Sequence, residues 1–172
     1  MPYDAANGIV AASYSWYNGT ILSPDNWFVL GPIDLTNVSD AMLEWDVIGP
    51  DASYCNENYS VYVGPSSNSD DLLNSPVSYN ETIASGGDGC GTWGARSFDI
   101  SGAVGEEVYI AFRHHDVSDM YVMFIDNVSV TSSTMSNEEF TLENIDYTFN
   151  QETNLLRVTS EEVLSNIKIH NM

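Results

Sequence analysis

The sequence predicts an all-β protein: an antiparallel jelly-roll β-sandwich with a short β-rich C-terminal appendage. Apolar and polar residues alternate along most segments, as in "EVYIAFRH", where Val108, Ile110 and Phe112 fall on one face. This period of two is typical of half-buried antiparallel strands. Turn-forming stretches such as "GPDAS", "GPSSNSDD" and "ASGGDGCG" separate the segments at the spacing expected of a sandwich, and helical patterns are almost absent.

Seven segments within the first 130 residues predict strands. The first, "GIVAASYSWY", places Tyr14 and Trp16 on one side and Ser13 and Ser15 on the other. The second, "NWFVLGPIDL", predicts a strand, a break at Pro32 and a further short strand. The remaining five are "AMLEWDVIG", "NYSVYVG", "ARSFDI", "EVYIAFRH" and "MYVMFIDNVSV". From the alternation in the second to fourth of these segments, we expect the following side chains to lie in the core: Trp27, Leu43, Trp45, Val47, Tyr59, Val61 and Val63.

The composition changes after Val130. The polar segment "TSSTMSNEE", residues 131–139, predicts a linker between a main domain over residues 1–130 and a smaller region over 140–172. That region carries three short strand patterns, over 147–149, 155–158 and 167–169. Three such strands leave sheet edges unpaired, so we expect the region to be stable only when it pairs with further sequence or a partner.

The charge balance excludes one class of partner. The chain has 25 acidic residues against 4 basic ones and a formal net charge of −21, which opposes nucleic-acid binding because that binding depends on Lys and Arg. Its 43% hydrophobic content nevertheless predicts a folded chain. Excess carboxylate favours solubility and the capture of divalent cations. No stretch approaches the roughly 18 apolar residues that span a bilayer, so we expect no membrane insertion.

The two cysteines, Cys55 and Cys90, both lie in polar, Gly-rich loop sequence. This pattern predicts one disulfide formed in an oxidising compartment. Two unpaired thiols are the alternative. A zinc site is less favoured, because no histidine or third cysteine stands at ligand spacing.

The sequence does not predict an enzyme. His114 and His115 end a strand, where we expect them to form structural hydrogen bonds, one turned inward and one outward. No nucleophile elbow, zinc-protease motif or phosphate loop occurs. The carboxylate pairs 70–71 and 106–107 lie in turns and are expected to be solvated. A glycosidase remains the open alternative, since its two carboxylates need to meet only in the folded chain.

The segment from Gly8 to Val130 resembles the cleaved-adhesin domain family, the jelly-roll modules of gingipain-type proteases and of many Bacteroidota surface proteins. The resemblance runs in order through "PDNWFVLGPIDL", "LEWDV", "NENYSVYVG", "GTWGARSFDI", "YIAFRHHDVSDMY" and "FIDNVSV". It implies a non-catalytic adhesion module of a secreted or cell-surface protein. The tail, residues 140–172, resembles the first part of a type IX secretion sorting domain, with its "LLRV" and "IKIHNM" strands. This second resemblance implies a partner in the type IX secretion machinery.

The resemblance also implies a structural Ca²⁺ that ties the N-terminal segment to the last strand. Asp126 and Asn127 occupy the last-strand position, and Asp4 and Asn7 are the N-terminal partners. In the alternative interpretation Asp126 only caps a strand bend. Weaker candidates for ligands are Asp119 and Glu57.

A ligand site is predicted where the two cysteine-bearing loops meet. Tyr54, Asn56, Asp88 and Trp93 lie in these loops, and aromatic rings with carboxylates and amides are typical of sugar-binding rims. A glycan and a surface protein are both compatible ligands. The rival hypothesis is a structural or assembly domain that packs on neighbouring domains or on copies of itself.

Overall fold

The computed structural model describes residues 10–133, 145–150 and 155–160. Its first segment holds ten strands: β1 (Ala11–Tyr14), β2 (Trp16–Tyr17), β3 (Thr20–Ile21), β4 (Asn26–Asp34), β5 (Met42–Ile48), β6 (Asn58–Gly64), β7 (Val77–Thr82), β8 (Gly94–Asp99), β9 (Glu107–His114) and β10 (Val122–Thr131). A one-turn helix α1 (Ser69–Leu72) and a 3-10 turn at Ser101–Ala103 complete it.

Eight of these strands form two four-stranded antiparallel sheets. The first sheet has the order β1-β10-β5-β8 and the second the order β4-β9-β6-β7, while β2 and β3 form a small hairpin. The prediction of an antiparallel β-sandwich is therefore confirmed.

The core lies between the inner faces of the two sheets. The alternation predicted for β5, β6 and β9 is confirmed, because these side chains are all buried: Leu43, Trp45, Val47, Tyr59, Val61, Val63, Val108, Ile110 and Phe112. The Trp45 ring lies at the centre, with its centroid 5.5 Å from that of Tyr79 and 5.6 Å from that of Phe112. Burial of such aromatic rings supplies much of the hydrophobic stabilisation of a core.

Trp27 is an exception, and its predicted core position is wrong. It pairs with Arg113 in register, whereas its neighbour Phe28 pairs with the inward-facing Phe112. The Trp27 ring therefore lies on the outer face, where it stacks on Tyr62 at 5.6 Å and carries the Arg113 guanidinium 5.2 Å from its centroid. The run "WFVL" is apolar throughout, so its alternation could not reveal which face is buried.

A polar cluster connects the two sheets along the side formed by β7 and β8. Arg96 from β8 holds Glu81 from β7 through two hydrogen bonds, from Nη2 to Oε1 at 2.6 Å and from Nε to Oε2 at 2.7 Å. The hydroxyls of Tyr59 and Tyr79 donate to the same carboxylate at 2.7 and 2.9 Å. Trp45 Nε1 in turn donates to the Tyr59 hydroxyl. Charge-assisted, two-point bonds of this kind fix geometry as well as adding energy.

This cluster shifts the pKa values of its members in opposite directions. Burial alone would raise the pKa of the Glu81 carboxyl, but the hydrogen bonds from Arg96, Tyr59 and Tyr79 outweigh it and the pKa is lowered. Burial, together with the neighbouring Glu81 carboxylate, raises the pKa of Tyr79 to about 12. Glu81 is therefore ionised and its tyrosine partners are neutral across the physiological range.

The tail contains one described hairpin. Strands β11 (Ile145–Asn150) and β12 (Leu155–Ser160) pair in antiparallel fashion and contain two of the three predicted tail strands. The third, over 167–169, lies outside the described residues. The chain divides into two units, Met1–Met135 and Ser136–Met172. Near the boundary, Asp40 accepts hydrogen bonds from Ser132 and from the Ser133 backbone, so the first residues of the predicted linker are fixed to the sandwich.

Candidate functional site

A disulfide joins two loops at one end of the sandwich. Cys55, in the loop between β5 and β6, is bonded to Cys90, in the loop before β8, with an S–S distance of 2.04 Å and a Cα–Cα distance of 5.3 Å. The Gly49 N–H donates to Gly89 O, and the Gly91 N–H donates to Gly49 O, both at 2.8 Å. A Cβ on Gly49 would lie 2.7 Å from Cys55 O, so only glycine allows this close approach. The two loops therefore form one tightly connected unit.

The four predicted rim residues divide between structure and surface. Tyr54 is 52% exposed. Asn56 uses both ends of its amide inside the loops: Nδ2 donates to Ile83 O at 2.8 Å, and Oδ1 accepts from Ser85 Oγ at 2.7 Å. The Asp88 carboxylate pairs with Arg96 Nη1 at 3.4 Å, and Trp93 is half-buried.

A cleft with a volume of about 530 Å³ opens beside Tyr54. Strand β2 and two loops line it with the following residues: Trp16, Asp51, Tyr54, Asp119, Met120 and Tyr121. Trp16 belongs to β2, Asp51 and Tyr54 to the β5–β6 loop, and the other three to the β9–β10 loop. Its volume lies in the range of ligand pockets, roughly 300–1,000 Å³. Of the four predicted rim residues, Tyr54 alone lines it.

The aromatic rings of the cleft meet at steep angles. The Trp16 and Tyr121 centroids are 6.1 Å apart with their planes inclined at 57°. Outside the cleft lining, the Tyr14 ring forms an edge-to-face contact with Tyr121, at 6.4 Å and 77°, and its centroid lies 5.1 Å from that of Tyr17. Edge-to-face contacts of this kind stabilise an aromatic cluster. The rings thus form a corner, in contrast to the nearly parallel Trp27–Tyr62 pair on the outer face of the second sheet.

Backbone hydrogen bonds hold the walls of the cleft in place. The N–H groups of Ser15 and Trp16 both donate to Tyr121 O at 3.1 Å, and the Asp119 N–H donates to Ser15 O at 3.1 Å. Asp119 has a φ of +56°, a conformation in which Asp and Asn are enriched. On the opposite wall, Asp51 Oδ1 accepts from the Ser53 N–H at 2.9 Å, which orients the carboxylate. The lining groups are therefore pre-positioned.

A buried polar network lies beneath this end of the sandwich. Glu57 is fully buried, and its Oε1 accepts from Ser15 Oγ at 2.8 Å and from the Tyr121 N–H at 2.9 Å. Its Oε2 lies 2.9 Å from His114 Nε2, and His114 Nδ1 lies 2.6 Å from Ser13 Oγ. The network links β1 of the first sheet to β9 of the second and supports the backbone of Tyr121. Because Glu57 is fully buried, its carboxylate forms hydrogen bonds inside the domain and is not accessible from the surface.

The second histidine has a separate set of partners. His115 Nε2 lies 2.8 Å from Ser60 Oγ, and its Nδ1 lies 2.8 Å from Asp116 Oδ2. Both histidines are buried, at 2% exposure for His114 and 7% for His115. Within the described residues, every buried side-chain nitrogen and oxygen has a hydrogen-bond partner. The two histidines thus hold the loops around the end of β9.

Residues 10–133, which include all residues of the cleft, carry a large excess of negative charge. Between residues 10 and 133 the sequence has 12 Asp and 5 Glu but only two arginines and no lysine. Both arginines are already paired, Arg96 with Glu81 and Arg113 with Asp25 at 2.6 Å. The hydrogen bond from Arg113 also lowers the pKa of the Asp25 carboxyl. Within this segment, therefore, no basic side chain is left to compensate Asp51 and Asp119.

The predicted calcium ligands lie only in part within the described residues. Asp126 stands opposite Asp46 on the neighbouring strand, at a register shift in β10. Asn127 has a φ of +52°, and its Nδ2 donates to Asp46 Oδ2 at 2.7 Å. Asp4 and Asn7 lie outside the described residues. Across the described segments, no group of three or more His, Cys, Asp or Glu side chains is arranged to hold a metal ion.

The fold and the cleft together define a β-sandwich module whose loops carry a preformed concave surface at one end. The sequence profile of the Cleaved Adhesin Domain family matches residues 2–130, and the chain belongs to that family. The resemblance stated from the sequence is thereby confirmed for the main domain. In the described parts of the chain, no helix is long and apolar enough to cross a membrane.

Several proteins of Porphyromonas gingivalis are similar to this chain. Gingipain R1 and Lys-gingipain are each 26% identical over 140 residues, covering 76% of this chain and 8% of those proteins. Hemagglutinin A is 25% identical over 128 residues, covering 68% of this chain and 5% of that protein. The chain thus spans less than a tenth of the length of the curated relatives it matches.

Solved structures of Cleaved Adhesin domains of Lys-gingipain have the same fold. The K1 domain is 29% identical with a TM-score of 0.58, covering 72% of this chain and 73% of that one. The K3 domain is 26% identical with a TM-score of 0.62, covering 74% and 75%. These matches lie in adhesin domains, in agreement with a non-catalytic role.

Proposed function

We propose that this protein is a non-catalytic adhesion module that binds a glycan or protein ligand in the cleft between Trp16, Tyr54 and Tyr121. The observation that carries the proposal is the convergence of three aromatic side chains and two carboxylates on one open cleft of about 530 Å³. Binding sites combine apolar and aromatic walls with a few polar groups that orient the ligand. The cleft has both, on walls fixed by backbone hydrogen bonds and a neighbouring disulfide.

The serine, histidine and glutamate of the buried network are proposed to be structural. Ser13, His114 and Glu57 are connected in the order of a hydrolase triad, but Glu57 and His114 are buried and also hold Ser15 and the Tyr121 backbone. Removing one member would leave a buried charge or polar group unpaired, which costs several kcal/mol. The network thus supports the end of the sandwich that carries the cleft.

An assembly role is the second candidate, supported by exposed apolar residues on the β2–β3 hairpin. Tyr17 is 57% exposed and Ile21 is 60% exposed. Such residues could pack on a neighbouring domain or on a second copy of the chain. This surface lies in the hairpin that also supplies Trp16, so the two candidate functions must be tested separately.

Two further proposals extend the resemblance. The first is that the protein is secreted or displayed on the cell surface, with residues 140–172 acting as part of a type IX sorting signal. The second is a structural Ca²⁺ held by Asp126 and Asn127 together with Asp4 and Asn7. The cross-strand pair Asp126 and Asp46 supports the second, because like charges directly opposite each other favour a nearby cation. Asp126 and Asn127 supply two of the six to eight oxygens that Ca²⁺ takes, so the site depends on the N-terminal partners.

The proposal is tested by probing the purified protein against an array of neutral and acidic glycans and a panel of soluble proteins of high and low isoelectric point. Tyr54→Ala should abolish binding without lowering the melting temperature, because the side chain is mostly exposed. Tyr62→Ala, an aromatic truncation on the outer face of the second sheet, is the matched control and should leave binding unchanged. Light scattering on the same samples reports self-association. The assembly role would be favoured if the wild-type protein binds no probe but self-associates, and if the Ile21→Asp variant is monomeric.

A further inference from the structure

We infer that the cleft recognises a cationic side chain, the ammonium of a lysine or the guanidinium of an arginine presented by a protein partner. The inference rests on the proposed function, since it names the ligand chemistry of the same cleft. Three properties of the cleft carry it: the unpaired carboxylates, the angles between the rings and the charge of the surrounding surface.

Asp51 and Asp119 line the cleft, and neither forms an ion pair with a basic side chain of residues 10–133. Asp51 is oriented by the Ser53 N–H, and Asp119 is fixed by a backbone bond to Ser15. Both arginines of residues 10–133 are occupied elsewhere, so neither neutralises this pair. A ligand cation would supply the missing charge, and hydrogen bonds between ionised groups are stronger than neutral ones.

The ring geometry favours a cation over a sugar. A pyranose stacks on a single exposed flat face, whereas the Trp16 and Tyr121 rings that line the cleft contact each other with their planes inclined at 57°, so they do not form one flat platform. Rings arranged around a volume present several negative π-faces to its centre, which is how aromatic cages hold ammonium groups. The protein already contains one such contact, Arg113 over Trp27, on its other surface.

The net negative charge of the protein also favours a cationic ligand. A net charge of −21 repels acidic glycans and attracts basic segments of a partner, which accelerates association at moderate salt. A volume of about 530 Å³ accommodates a long basic side chain together with part of its backbone. A basic protein segment therefore fits the cleft in both size and charge.

The test measures fluorescence anisotropy of a labelled Gly/Ser peptide with two adjacent lysines, and of the same peptide with both lysines acetylated. The lysine peptide should bind and the acetylated peptide should not. The D51N/D119N variant should weaken binding about ten-fold or more. It preserves the fold, because Asn tolerates the left-handed backbone of position 119 and keeps the acceptor oxygen at position 51.

A charge-matched control separates the cleft from general attraction to an acidic protein. E106Q/E107Q removes the same two charges at the start of β9, about 25 Å of strand away from the β9–β10 loop. This variant should change binding by about two-fold or less. Equal weakening in the two double variants, binding of the acetylated peptide, or no binding of the lysine peptide would each overturn the inference. If a neutral glycan binds and Tyr54→Ala abolishes that binding, only the cation inference fails; if Tyr54→Ala affects no ligand, the proposed function fails as well.

Discussion

The disulfide provides a quantitative test of how this end of the sandwich is stabilised. Cys55 and Cys90 are 35 residues apart in sequence, so the bond closes a loop of that length in the unfolded chain. On the chain-entropy relation, this closure lowers the entropy of the unfolded state by about 13 cal/mol/K, or about 4 kcal/mol at 25 °C. The double variant C55A/C90A should therefore lose about 4 kcal/mol of unfolding free energy, a large fraction of the roughly 5–15 kcal/mol of a typical domain.

The assay is urea unfolding followed by tryptophan fluorescence, with wild type and variant compared with and without reductant. Reductant should lower the stability of the wild type to nearly that of C55A/C90A and leave the variant unchanged. Mass spectrometry after alkylation of the folded wild type should find no modified cysteine. A stability difference below about 1 kcal/mol would show that the disulfide does not stabilise the domain, and two alkylated thiols in the folded protein would show that it does not form.

Three further predictions concern other parts of the chain. Because the folded-state pKa of Glu81 is lowered, the stability that its carboxylate adds is present above the ordinary glutamate pKa and is lost as pH falls through the folded-state pKa. E81Q should therefore lower the unfolding free energy by about 2–3 kcal/mol at pH 7, measured by urea unfolding. A loss of stability that does not shrink on acidification would contradict this. If Asp126 helps to hold Ca²⁺, chelator should lower the melting temperature and added Ca²⁺ should restore it, and D126A should abolish this response. A wild-type melting temperature that chelator does not change would exclude the site. Deleting residues 134–172, which keeps the Asp40 contacts to residues 132 and 133, should leave the melting temperature and any ligand binding unchanged, and an unfolded product would show that the tail completes the sandwich.

The sequence predicted which face of a strand is buried for β5, β6 and β9, but not for β4. The alternation in β5, β6 and β9 identified the buried faces, because polar residues such as Glu44, Ser60 and Arg113 interrupt the apolar residues of each strand on the other face. It failed at Trp27, where consecutive apolar residues leave the phase undetermined. Alternation therefore predicts the buried face only where the two faces of a strand differ chemically.

The candidate site was predicted only at Tyr54, because the rest of it forms by long-range convergence. Ser15 and Glu57 are 42 residues apart, and Ser13 and His114 are 101 apart. No local pattern joins such residues. For the same reason the sequence did not assign Trp16 to the site and predicted Asp119 only as a weaker calcium ligand, because both reach Tyr54 only in the folded chain.

The most direct test of the central claim, that the loop cleft is the ligand site, is a two-dimensional ¹H–¹⁵N NMR titration with the lysine peptide. If the peptide binds in the cleft, chemical shifts should change at the Trp16 indole and at the backbone amides of Asp51, Tyr54 and residues 119–121. The Trp27 indole and the Tyr62 amide, on the outer face of the second sheet, should stay unchanged. Shift changes centred on Trp27 and Tyr62, or spread evenly over the acidic surface, would contradict the claim.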